Sequence, residues 1–181
     1  INRQLVTKAI AQFERTLISH NAKWDQVLKE ANQTGQSVQQ AANDILSSSE
    51  VRGFLLFNTE QADCFHCHGG TGSQPLLTNN DFTNNGLDSM GPDEYNFEDP
   101  GRGGVTGNRT DQGKFRTPTL RNVELTAPYM HDGRFETLEE VVDFYSDGLQ
   151  PASNADANIK KHLPSRRWGS GGVDLSERQK Q

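Results

Sequence analysis

Apolar residues recur along the first part of the chain with helical spacing. Leu5, Val6, Ala9, Ile10, Phe13 and Leu17 fall on one face of a helix predicted over residues 3–18. Ile1 enters that pattern with no start signal ahead of it. Lys23 to Ala31 repeats the rhythm with Trp24, Val27 and Leu28 on one side, and the polar stretch Asn32 to Gln36, which contains Gly35, reads as a loop. Ser47 and Glu50 have capping-box spacing ahead of Val51, Phe54, Leu55 and Phe57, which predicts a helix leading to Cys64. Periodicity then vanishes from Gly69 to Gly113, where Gly, Asn, Asp, Ser and Pro dominate. It returns with a second capping box, Thr137 and Glu140, and a helix through Leu138, Val141, Val142 and Tyr145 that Gly148 is placed to end. Ser176, followed by Glu177, Arg178 and Gln179, reads as the N-cap and first turn of one more helix. Strand signals are weak and there is no internal repeat. The expected fold class is mostly α, with long irregular loops and few or no strands.

Composition changes this picture in one respect. Hydrophobic residues make up only 32% of 181, with 17 Gly and 7 Pro. That is a thin apolar supply, so either much of the fold is irregular or something that is not protein fills part of the core. The 18 basic and 24 acidic side chains leave a net charge of −6, which argues against nucleic acid as the main partner. No apolar run is long enough to span a membrane. No signal peptide is visible, but both ends look cut, so a longer precursor is expected and compartment is not decided by that absence. Between Gly69 and Gly101 there is no Lys or Arg but six acids, Asp81, Asp88, Asp93, Glu94, Glu98 and Asp99, whereas the tail is basic around Lys160, Lys161, Arg166 and Arg167. These stretches are candidate docking surfaces for a small redox protein, weighed against ordinary solvated surface.

Both cysteines of the chain lie in Cys64-Phe65-His66-Cys67-His68, the C-x-x-C-H pattern of c-type haem attachment. Two thiols about one helical turn apart can each add to a vinyl group of one porphyrin, and His68 then ligates the iron as the proximal ligand. A thioredoxin-type pair would need a βαβ context, a zinc site more ligands, and a disulfide a strained short loop. A haem also accounts for the scarce apolar residues. His66 reads as a solvent-facing spacer, and His20 and His162 as surface residues. The opposite face of the iron decides the chemistry, since thioether ligation suits electron transfer, phenolate stabilises ferric iron and an open site admits peroxide. Met90 lies in the acidic loop and reads as a gap-filler. Met130 lies in a Pro/Gly-bounded turn and Tyr145 on an inward helix face, and the residues alone leave these two open. Arg116 and Arg121 are candidate partners for the haem propionates, because guanidinium pairs bidentately with carboxylate. His131 and Asp132 are candidates for hydrogen bonds near the haem edge.

Phe13-Glu14-Arg15-Thr16-Leu17, the cysteine motif, Gly107 to Asn122 and Leu125 to Tyr145 together resemble the C-terminal haem domain of the bacterial di-haem cytochrome c peroxidases and their relative MauG. The resemblance runs from Ile1 to about Gly148. Its most specific part is Gly113-Lys114-Phe115-Arg116-Thr117-Pro118-Thr119-Leu120-Arg121-Asn122 followed by Thr126-Ala127-Pro128-Tyr129. It implies a cytochrome c-like haem domain at 47–181, preceded by leading inter-domain helices at 1–46. It implies one covalent haem c here, and a peroxide-reactive haem on an N-terminal domain outside this sequence with which electrons are exchanged. Hydrogen peroxide would be the substrate of the parent, with this segment alone not the full catalyst. It further implies a periplasmic location and a calcium ion bound through the backbone carbonyls of Thr126 and Pro128. Counting from Thr126, it puts Tyr145 at the distal ligand position, as in MauG, where the ordinary peroxidases carry Met. His68/Tyr145 ligation is therefore expected over His68/Met130. The competing reading is a stand-alone mono-haem electron carrier with His68/Met130 ligation, and a more distant one is a structural or zinc-binding module.

Overall fold

The computed structural model describes residues 2–69, 74–89, 95–163 and 171–181. Four helices lead into the cysteine motif: α1 (Arg3–Glu14), α2 (Lys23–Thr34), α3 (Val38–Ile45) and α4 (Ser48–Phe57). A one-turn helix, α5 (Phe65–His68), carries the motif itself. After it come β1 (Phe82–Thr83), α6 (Arg102–Thr106), β2 (Phe115–Arg116), α7 (Leu138–Asp143), α8 (Ala157–Lys160) and α9 (Glu177–Lys180). Among the described residues the only sheet is the antiparallel pair of β1 and β2, with Phe82 opposite Arg116 and Thr83 opposite Phe115. The fold is mostly α, joined by long irregular segments.

Several helix boundaries differ from the sequence expectation. The first helix has a start signal after all, because the Asn2 side chain accepts from the Leu5 N–H at 3.0 Å. It ends at Glu14 rather than residue 18. α2 continues through the stretch read as a loop until Gly35, at φ +73°, terminates it in the left-handed conformation. α3 was not anticipated; its Ser37–Gln40 capping box and Ala41–Ala42 pair build a helix from small and polar residues. The capping boxes of Ser47–Glu50 and Thr137–Glu140 form as expected.

Among the described residues three small apolar clusters hold the chain together. Val27, Ala31, Ala41 and Ala42 lock α2 to α3, with Trp24 and Phe54 of α4 against them. Leu87, Phe144 and Leu149 form a second cluster with Met130, Phe135 and Tyr145 at its edge, and Phe97, Ala152 and Ala155 form a third. By contrast, the apolar stripe of α1 is exposed, with Ile10 52% and Phe13 63% accessible, and so is Leu17 beyond its end at 65%.

Arg121 ties the leading helices to the loop after the motif. Its guanidinium donates to the Pro75 carbonyl at 3.0 Å and the Ser19 carbonyl at 3.2 Å, and it pairs with Asp25 at the start of α2. Its Nε is buried without a partner among the described residues. The C-terminal segment braces the end of α7. Leu149 and Gly171 exchange both backbone hydrogen bonds, Val173 donates to the Tyr145 carbonyl, and Leu175 donates to the Ser146 hydroxyl at 2.9 Å. Gly172 passes so close to Ser146 that a Cβ there would overlap the Ser146 carbonyl. Lys180 of α9 completes the brace by pairing with Asp143 and Asp147. No helix among the described residues is long and apolar enough to cross a membrane.

Candidate functional site

The site is built on α5. Cys64 stands at its N-terminus and its carbonyl accepts the His68 N–H at 3.0 Å, so one helical turn sets the spacing of Cys64, Cys67 and His68. Both thiols are free. Burial pushes Cys64 up to about 12 and Cys67 up to about 11, with the nearby Asp63 charge adding to the rise at Cys64 and Asp156 at Cys67. Such thiols stay protonated at neutral pH and are poor candidates for disulfide exchange. The His68 ring is desolvated, and burial lowers its pKa despite the opposing carbonyls of Leu77 and Pro118. Its Nδ1 lies 3.1 Å from the Leu77 carbonyl. As donor to that oxygen, Nδ1 carries the proton and leaves Nε2 as the lone pair available to a metal. An apolar cavity of about 210 Å³ is bounded by Trp24, Phe54, Phe57, Gly69 and Leu77 among others.

Tyr145 does not sit on a regular α-helix. α7 gives way after Asp143 to a π turn over Phe144–Gly148, which the 171–175 segment braces. The turn buries Phe144 in the second cluster and leaves Tyr145 half-buried against it, with ring centroids 5.0 Å apart. Burial raises the Tyr145 phenol to about 12; the Asn85 amide, 3.0 Å from its oxygen, opposes this, and both cysteine sulfurs are near enough to contribute. Met130, at φ +71°, brings its sulfur to 3.8 Å from the same Asn85 amide. The fold therefore brings Cys64, Cys67 and Tyr145 together, and places Met130 next to Tyr145. The donors fit a c-type haem: two thiols, an imidazole with its outer nitrogen fixed, and an oxygen or sulfur ligand.

The remaining expected residues lie outside this cluster of donors. Arg116 is exposed and its guanidinium donates to the Asn80 side chain. Arg121 is committed to Asp25, Pro75 and Ser19 as described, with its buried Nε unpartnered among the described residues. Thr126 and Pro128 are exposed. His131 is exposed and stacks on Phe115 at 3.6 Å, and Asp132 is engaged with Arg134. Met90, Asp93, Glu94, Arg166 and Arg167 lie outside the described residues.

Two histidines depart from expectation. His162 is not a free surface residue, since its Nε2 lies 2.9 Å from Asp63 Oδ2. His66 is half-buried rather than solvent-facing, with Nδ1 2.5 Å from Asp63 Oδ1. Asp63, at φ +60°, gathers both rings and Lys161 around one carboxylate next to Cys64. Sequence reasoning missed it because its partners at 161 and 162 are remote in the chain. Glu60, Asp63 and His66 bring ligand atoms within 4.8 Å of one another, but the Lys161 ammonium, 2.5 Å from Glu60 and 2.9 Å from Asp63, already supplies the cation.

Burial works to raise the Asp63 pKa, but the hydrogen bonds from Lys161, His162 and His66 outweigh it and hold the carboxyl below the ordinary Asp value. The unfolded chain therefore takes up this proton at higher pH than the folded one. The resulting stability is complete above pH ~4 and is lost as pH falls through the lowered value. Asp63→Asn keeps the left-handed backbone accessible but removes the charge, and is expected to cost about 2 kcal/mol at neutral pH. Thermal melts between pH 6 and pH 2 should show a shallower acid limb for the variant than for the wild type.

No family model matches the chain. Individual proteins do. It is 36% identical over 138 residues to cytochrome c551 peroxidase of Nitrosomonas europaea, covering 76% of this chain and 36% of that protein. It is 33% identical over 157 residues to the methylamine utilization protein MauG of Methylophilus methylotrophus, covering 84% of this chain and 40% of MauG. A solved MauG-like protein associated with microbial copper homeostasis superposes with a TM-score of 0.67 at 31% identity, covering 99% of this chain and 54% of that one. The chain spans about two fifths of the length of the curated relatives it matches. Over most of its own length the chain is thus similar to the cytochrome c peroxidases and MauG, of whose length it spans well under half, and to a MauG-like structure of which it covers 54%.

Proposed function

We propose that the chain is a single-haem redox domain of a di-haem peroxidase or MauG-like oxidoreductase, exchanging electrons with a second, peroxide-reactive haem carried elsewhere in its parent. The observation that carries this reading is the grouping of Cys64, Cys67 and a His68 ring fixed through Nδ1 with Tyr145, which Asn85 holds near both cysteines. Bound covalently, a haem c supplies a one-electron couple. Cys64 and Cys67 would anchor it through their sulfurs, and His68 Nε2 and the Tyr145 oxygen would hold its iron. A Tyr145 phenolate would favour the ferric state and leave no open site for peroxide. The thiols and both rings are half-buried, which would limit water at the centre. Of the arginines, Arg121 already spends most of its donors on Pro75, Ser19 and Asp25, whereas exposed Arg116 can turn toward a propionate. Calcium at the Thr126 and Pro128 carbonyls, a small c-type redox partner and a periplasmic location complete the reading; c-type haem is attached outside the bacterial cytoplasm.

A second reading, a mono-haem electron carrier with His68/Met130 ligation, is favoured by the Met130 sulfur lying at the same amide as Tyr145. Stopped-flow mixing of the haem-loaded chain tests the first. The chain should take electrons from a reduced small cytochrome and react only sluggishly with hydrogen peroxide. Peroxide turnover by this chain alone at the rate of a complete peroxidase would contradict an electron-exchange role.

A further inference from the structure

Asn85 stands where the two candidate distal ligands meet. Its Nδ2 donates to the Tyr145 hydroxyl at 3.0 Å and lies 3.8 Å from the Met130 sulfur. Its Oδ1 accepts the Leu87 N–H at 3.2 Å. Because a backbone donor occupies the oxygen, a flipped amide would set N–H against N–H, so the nitrogen is the end that faces the ligands. The loop beneath it is rigid. Asn84 is buried, its Oδ1 accepts from the Gly86 N–H at 2.9 Å, and its Nδ2 donates to Asn154 at 3.0 Å. The Asn84 and Gly86 carbonyls accept from Asp156 at 3.0 Å and Gln150 at 2.7 Å. Gly86, at φ +72° and with the Gln150 carbonyl 3.2 Å from where a Cβ would stand, fixes the elbow.

The two acceptors in front of this amide are unequal. A phenol or phenolate oxygen is a good acceptor, and a thioether sulfur a weak one. The backbone does not choose between them: Met130 sits in a turn tied by the Tyr129–Phe135 pair, and Tyr145 sits in the braced π turn, yet both reach the same point. We propose that Asn85 is a positioning residue that selects Tyr145 over Met130 as the side chain presented to the haem iron, by giving its N–H to the phenolic oxygen and none of comparable strength to the sulfur. This inference rests on the assignment of Tyr145 as distal ligand. The Asn85 donor holds the Tyr145 ring in register with the iron and leaves Met130 as an unbound neighbour.

Asn85→Asp tests it, since the Asp keeps the oxygen that caps Leu87 and exchanges the donor for an acceptor. Asn85→Ala serves as a second variant that introduces no charge. The readout is the ferric visible and near-infrared spectrum of the haem-loaded protein, with Tyr145→Phe and Met130→Leu recorded alongside. In both Asn85 variants the Tyr145-dependent bands should lose at least half their intensity. A sulfur-to-iron band should appear and vanish again when Met130→Leu is added. Wild-type spectra in both Asn85 variants would overturn the role of Asn85 alone. A wild-type spectrum that Tyr145→Phe leaves unchanged would overturn the ligand assignment, and the inference with it.

Discussion

Replacing Cys64 and Cys67 together by alanine is expected to abolish covalent haem and, with it, cooperative unfolding. Among the described residues the protein's own apolar core is small. Ten of the eleven buried apolar residues described fall into three small clusters, and five of the eleven are alanines. Covering about 300 Å² of porphyrin surface would add roughly 7 kcal/mol at about 25 cal/mol per Å². That is comparable with the whole stability of a typical domain, about 5–15 kcal/mol. Without the haem, the half-buried Tyr145, Met130 and His68 would lose the packing partner that the proposed site gives them. Haem staining after denaturing electrophoresis should be negative for the double variant, and its thermal melt by circular dichroism should lose its sigmoidal transition. A sharp melt at the wild-type midpoint would show that the haem is not part of the core.

The second large effect concerns the reduction potential. A phenolate opposite His68 stabilises the ferric state, and the identity of the axial ligand moves haem potentials over a span of about 0.8 V. Tyr145→Phe removes the anionic oxygen and leaves the ring packing on Phe144 intact. The potential should therefore rise by about 0.1 V or more, where each ~59 mV is tenfold in a one-electron equilibrium. Spectroelectrochemical titration of the haem-loaded wild type and variant measures this directly. An unchanged potential would remove Tyr145 from the iron.

What the sequence made legible was local. The cysteine motif fits within one turn of α5, and the two anticipated capping boxes act over three residues, so spacing alone specifies them. α3 escaped notice because its buried face is made of Ala41 and Ala42 rather than large apolar residues. Tyr145 was recognisable as inward-facing, but its placement on a π turn depends on bonds from Val173 and Asp174, which no helical periodicity encodes. The pairing of Asp63 with His162 spans 99 residues and leaves no local trace. Asn85 lies in an Asn-Asn-Gly sequence that signals a turn, and nothing in that signal says that the turn aims an amide at Tyr145 and Met130. Arg121 illustrates the reverse case: a residue whose type suits propionates spends most of its donors on joining α2 to the loop at Pro75.

The central claim is that His68 and Tyr145 face each other across one covalently bound haem. The ferric spectrum of the wild-type protein, expressed with haem-attachment machinery and recorded from the visible through the near infrared, tests it most directly. The account predicts no sulfur-to-iron charge-transfer band, together with visible bands that change in Tyr145→Phe. A clear sulfur-to-iron band in the wild type, lost in Met130→Leu and indifferent to Tyr145→Phe, would contradict it and make the chain a His68/Met130 electron carrier.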